Sequence, residues 1–154
     1  MKFLLKSKNY WILNQVQDDI MKIDLIIESD DDCDLESLEL ESISNSVLEK
    51  LALKKPHASI EVFLVKDEKI NEINNKFRGI NQITDVLSFP QESFPGAKEE
   101  VLGTIFIAPE YAKGESVSCK TLFLHGLFHL LGYDHETNLK KWEMAEKITG
   151  QKTL

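Results

Sequence analysis

The spacing of apolar and polar residues changes several times along the chain, and each change marks an element. Ile23-Asp24-Leu25-Ile26-Ile27-Glu28 alternates with a period near two, which predicts a half-buried strand. From Leu35 to Leu53 the apolar residues Leu38, Ile43, Val47, Leu48, Leu51 and Leu53 fall at helical spacing, and Pro56 stops that helix. Ile60-Glu61-Val62-Phe63-Leu64-Val65 is rich in β-branched and aromatic residues and reads as a strand. Asp67 can cap the next helix, which runs through Ile70, Ile73 and Phe77 and is ended by Gly79, with Arg78 at its C-terminus. Asp85 to Pro90 predicts a short strand closed by proline, and Val101 to Ala108 another, with a loop carrying Pro95-Gly96 between them. A short helix near Glu110, a longer one from about Cys119 and a last one from about Asn138 to Lys147 complete the series.

The order strand, helix, strand, helix, strand, strand, helices argues for an α+β fold, with one mixed sheet of about four strands packed with helices. Residues 1–20 keep no sustained period of either kind. They read as an N-terminal extension, from a misplaced start or as an ordinary strand or helix packed on the core, ahead of a single domain at 21–154.

The segment from Leu122 to Leu131 is apolar nearly all round, so its helix is buried. His125 and His129 lie four apart within it, one turn apart on one face. Gly132 can end the helix in a left-handed conformation and let the chain return His135 to the same point. A single histidine here would read as a hydrogen-bonded core residue. Three spaced for one focus read as a metal site on a buried helix and the turn after it. Three imidazoles leave a fourth position open, the arrangement of a catalytic rather than a structural zinc.

Composition narrows the setting. The chain has 154 residues, 42% hydrophobic and 29% charged, enough for one domain with a real core. No apolar run approaches membrane-spanning length, and the N-terminal apolar run is too short for a secretory signal. Cys33 and Cys119 show no metal or redox spacing, which fits reduced thiols in the cytoplasm, with Cys119 a core residue. The net charge of −8 argues against broad nucleic-acid binding, yet much of the acid clusters between Glu28 and Glu41 and leaves room for a local basic groove. Of 18 basic side chains only Arg78 is an arginine. Its guanidinium can grip phosphate through two oxygens, or it can serve as a charge at its helix C-terminus.

The histidine spacing matches the metzincin pattern His-Glu-x-x-His-x-x-Gly-x-x-His at every place but one. Gly126 stands where those proteases carry their general base, and glycine cannot take a proton. A peptidase would need its base from elsewhere. The whole stretch His125-Gly126-x-x-His129-Leu130-x-Gly132-Tyr133-Asp134-His135 instead closely resembles the signature of the YbeY endoribonucleases, the rRNA maturation factors. Asn75-x-Phe77-Arg78-Gly79, Thr84-Asp85-Val86-Leu87-Ser88-Phe89-Pro90 and Leu102-Gly103-x-Ile105-x-Ile107-Ala108 resemble its other blocks. The resemblance covers Met21 to about Ile148.

It implies one Zn2+ per chain held by His125, His129 and His135, with Arg78 and His125 in catalysis. It further implies cleavage of single-stranded RNA, maturation of the 3′ end of small-subunit rRNA, and a part in ribosome quality control. The partners so implied are an rRNA precursor, the ribosome and ribosome-assembly proteins, in the cytoplasm, with neither membrane nor DNA. Two departures stand out. Thr104 replaces an aspartate, which could position water or a ligand, and the stretch from Ala112 to His125 is shorter by roughly two helical turns. Asp134 could orient an imidazole or serve the turn, and Asp85 has the same two readings. His57, beside Pro56, reads as a surface residue. Two other classes remain: a metal-dependent hydrolase of another phosphoester or of a peptide, and a non-catalytic, zinc-containing ribosome-assembly factor.

Overall fold

A computed structural model describes residues 3–4, 23–29, 37–53, 58–92, 94–96 and 100–154. The elements in chain order are β1 (Phe3–Leu4), β2 (Ile23–Ser29), α1 (Ser37–Lys50), β3 (Ala58–Leu64), α2 (Asp67–Arg78), β4 (Val86–Pro90), β5 (Glu100–Ile107), α3 (Pro109–Gly114), α4 (Cys119–Leu130) and α5 (Leu139–Thr149). The α+β class holds, with one mixed sheet ordered β1-β2-β3-β5-β4. β2, β3 and β5 run parallel, while β4 lies antiparallel on the outer side of β5. β1 adds two residues antiparallel to β2, opposite Ser29 and Glu28. The rest of the N-terminal stretch lies outside the described residues, as do Cys33 and His57. Among the described residues no helix is long and apolar enough to cross a membrane.

Strand alternation sorts the core into two faces. Ile60, Val62 and Leu64 of β3 join Ile105 and Ile107 of β5 beneath α1, α4 and α5, in the main cluster with Phe123, Leu127, Phe128 and Trp142. Phe63, Phe89 and Phe106 point to the other face, where they pack around Ile70 and Ile73 of α2. Asp67 is the first residue of α2 rather than its cap. Lys66 holds the cap position and makes no side-chain capping bond, while Gly79 ends the helix at a φ of 70°.

The register of β5 slips at one point, since Ser59 pairs with Val101 and Ile60 with Gly103, leaving Leu102 as the extra residue of a bulge. Gly103 takes a φ of +145°, and a Cβ there would lie 2.2 Å from the Phe89 carbonyl oxygen and 2.8 Å from Leu130 Cδ2. Neither the β4 backbone nor the end of the histidine helix leaves space for a methyl group. Gly103→Ala should therefore combine backbone strain with overpacking and lose about 3 kcal/mol or more in urea denaturation. A loss below about 1 kcal/mol would show that β4 can shift at that point.

Candidate metal centre

α4 starts at Ser118, whose side-chain oxygen accepts the Thr121 N–H at 3.1 Å. Leu122, Phe123, Leu124, Leu127 and Phe128 then bury it on nearly every side. Gly126 faces the sheet: a Cβ there would lie 2.9 Å from Ile105 Cδ1 and 3.0 Å from its Cγ2. The place of the metzincin glutamate is thus a contact with β5.

The helix ends in a Schellman turn. Tyr133 N–H donates to the Phe128 carbonyl at 2.9 Å and Gly132 N–H to that of His129 at 3.0 Å. Gly132 has a φ of 84°, and the Phe128 and Tyr133 rings meet with centroids 5.9 Å apart, the apolar contact that accompanies this ending. Asp134 then turns the chain again. Its Oδ1 accepts the Glu136 N–H and its Oδ2 the Thr137 hydroxyl, both at 2.9 Å. Both of its oxygens serve the turn, so it acts on His135 by bringing it back.

The three imidazoles converge. His125 Nε2 and His129 Nε2 stand 3.2 Å apart, and one nitrogen from each of His125, His129 and His135 lies within 4.8 Å of the others. Two nitrogens bound at about 2.0–2.1 Å to one tetrahedral ion are roughly 3.3 Å apart, so the helical pair already has a ligand spacing. The three residues could hold a metal ion.

Burial, and then the charges of His129 and His135, push the His125 pKa down to about 4, against Asp85 and Glu146, which raise it. His129 is also lowered, by burial first and then by His135, against Asp134, Glu136 and a hydrogen bond to the Tyr133 backbone. Depressed pKa values leave these imidazoles neutral at pH 7, the form that binds metal. Among the described residues, His125 Nδ1 is buried without a hydrogen-bond partner.

Arg78 stands apart from the cluster. It is exposed and lines a cavity of about 380 Å³ with Asn74, Thr84, Asp85, Tyr111 and Glu115. Asn74 holds the loop beside it through Nδ2, which donates to the Gln82 carbonyl at 2.8 Å. Asp85 Oδ1 accepts the Val86 N–H at 2.8 Å and the Thr84 hydroxyl at 3.3 Å, so this residue serves its turn. Its charge also raises the His125 pKa. Thr104 donates to Glu61 Oε2 at 3.1 Å, and strand parity puts it on the opposite sheet face from Ile105 and α4.

The largest residue of the site escapes sequence reasoning. The Trp142 indole on α5 is buried, with its centroid 5.1, 5.0 and 4.9 Å from the rings of His125, His129 and His135. The spacing of Trp142, Ala145 and Thr149 marks a buried face of α5, but no period says which element that face meets.

Residues 25–151 match the family described as Endoribonuclease YbeY. Proteins of that description include one from Nautilia profundicola, 46% identical over 58% of this chain and 71% of its own length. Another, from Helicobacter pylori, is 43% identical over 66% and 75%. A third, from Aliarcobacter butzleri, is 34% identical over 79% and 90%.

The lowered His125 pKa sets a pH dependence for the metal-free protein. In the unfolded chain this residue binds a proton below its ordinary 6.5, whereas in the folded chain it does so only near 4. The unfolded state thus holds more protons between these values, and stability falls as pH drops from about 6.5 to about 4. With chelator present, the melting temperature of the wild type should fall more steeply across that window than that of His125→Gln. Parallel curves would mean that burial of His125 carries no such linkage.

Proposed function

The chain belongs to the Endoribonuclease YbeY family, and from that premise we propose that it is a zinc-dependent endoribonuclease acting on single-stranded RNA. Its task in this reading is maturation of the 3′ end of small-subunit rRNA and ribosome quality control, in the cytoplasm. An rRNA precursor, the ribosome and its assembly proteins are the partners. The observation that carries the reading is the convergence of His125, His129 and His135, three protein ligands where a catalytic zinc takes three and keeps a fourth position for water or substrate. Three neutral nitrogen donors suit zinc, one ion per chain.

When bound, zinc supplies a Lewis acid that polarises a phosphoryl oxygen or lowers the pKa of water. The protein's own part is to keep His125 and His129 neutral by burial, to direct all three imidazoles to one point, and to bring phosphate to them. Arg78 has the chemistry for the last task, since its planar fork can hold two phosphate oxygens, and it shares its cavity with Asp85, whose charge raises the His125 pKa. Arg78 is assigned to the scissile phosphate, and His125 is both ligand and catalytic residue.

Arg78→Lys tests this, with zinc content measured alongside. Lysine keeps the charge and loses the fork, so a helix-end charge would be replaced at little cost. A phosphate grip in the transition state would not, and single-turnover cleavage of single-stranded RNA should fall by about 10². Wild-type protein should carry one zinc and lose cleavage to chelator. A lysine variant that cleaves at the wild-type rate would remove Arg78 from the chemistry.

The same reading puts the working domain at 21–154 and treats residues 1–20 as an extension. A chain beginning at Met21 should fold, bind zinc and cleave RNA. A melting temperature lower by more than about 8 °C would assign the first twenty residues to the core.

A further inference from the structure

His125 presents an unsolved problem of orientation. Metal-binding histidines ordinarily have their second ring nitrogen held by a hydrogen bond, which sets the ring's rotation. His125 Nδ1 is buried and has no such partner among the described residues. What touches its ring, and the rings of His129 and His135, is the Trp142 indole, at nearly equal centroid distances of 5.1, 5.0 and 4.9 Å. One rigid surface therefore meets all three rings.

The indole is itself tied down, from the end of the chain. Trp142 Nε1–H donates to Thr153 Oγ1 at 3.1 Å. The Thr153 hydroxyl donates to Glu146 Oε1 at 2.7 Å, and the Thr153 backbone N–H donates to the same oxygen at 2.6 Å. The direction of these bonds is forced, because an ionised carboxylate only accepts and an indole only donates. Thr153 must give its proton to Glu146 and offer its lone pairs to Trp142. Trp142 is 2% exposed and Thr153 7%, so water competes little for the bond between them. The Glu146 charge at the end of this path also acts on His125.

We propose that Trp142, locked by Thr153 and Glu146, is a positioning residue that holds the three imidazoles in their converging arrangement, making the C-terminal tail part of the metal site. The inference rests on the three-histidine metal site proposed above. It needs no contact between Trp142 and metal or RNA.

The test uses the full chain and zinc binding, apart from any cleavage assay. Thr153→Val keeps the shape and deletes the acceptor, while Thr153→Ser keeps the acceptor. Zinc dissociation constants are measured at pH 7 by competition with a chromophoric chelator, well below each variant's melting temperature. Thr153→Val should bind zinc about tenfold more weakly or worse, the cost of losing an outer-shell partner, and Thr153→Ser should stay near wild type. Trp142→Phe, which keeps a ring and loses the N–H, should resemble Thr153→Val. In a Trp11→Phe background, Trp142 is the only tryptophan, and its fluorescence should change on zinc addition in the serine variant and shift less in the valine variant. Wild-type affinity in Thr153→Val, with only a lower melting temperature, would reduce the tail to ordinary packing. If wild-type protein binds no zinc, the metal reading itself fails and this inference with it. If Thr153→Val does not fold, Trp142→Phe and the fluorescence response decide, and wild-type affinity in Trp142→Phe overturns the proposal.

Discussion

The approach of α4 to β5 at Gly126 is the constraint on which the site depends. A side chain there would enter the space of Ile105, so the helix can lie this close only with glycine at that turn. Close packing buries the helix that carries His125 and His129, and burial is the leading cause of the lowered pKa of both. Charging them would cost the desolvation that neutral rings avoid. The same glycine that removes a protease's base thus helps keep the ligands in the form that binds metal. These are two consequences of one contact.

The end of α4 shows a second dependence, running from backbone to chemistry. A straight continuation of the helix would carry the chain away from His125. The left-handed Gly132, the paired bonds to Phe128 and His129, and the Asp134 turn reverse it within a few residues. Phe128 and Tyr133 seal that reversal on the apolar side. His135 owes its place to local interactions that would form in any helix with this ending, whereas the facing of the whole helix depends on long-range packing.

That division explains what could be read from the sequence. The α+β class, the sheet of about four long strands, both glycine helix ends and the meeting of the three histidines follow from periods and spacings of local range. Asp67 reads as a cap in sequence because its carboxylate can accept a backbone N–H, and only backbone geometry shows that it is already the first helical residue, after Lys66. Asp134 stayed ambiguous because a turn role and an outer-shell role need the same carboxylate at the same place. The structure separates them by showing both oxygens engaged within the turn. Trp142 was out of reach, since its contacts join α5 to α4 across a loop and are set by how both pack on the sheet.

Thr104 makes the sharpest case for strand parity. In sequence it looks like a lost carboxylate that could position water or a ligand, since the family the chain resembles usually has an aspartate in this block. A strand, however, alternates its side chains, and Ile105 is the one that meets Gly126. Thr104 must then point away, and it does, toward Glu61 on β3. A carboxylate at 104 would stand directly against that glutamate, where two like charges repel. Threonine instead donates its hydroxyl to Glu61, so the substitution is matched to its own neighbour on the far face of the sheet. The loss of a charge at this position bears on that cross-strand pair, and the histidine rings meet Trp142 of α5 on the other face of the sheet.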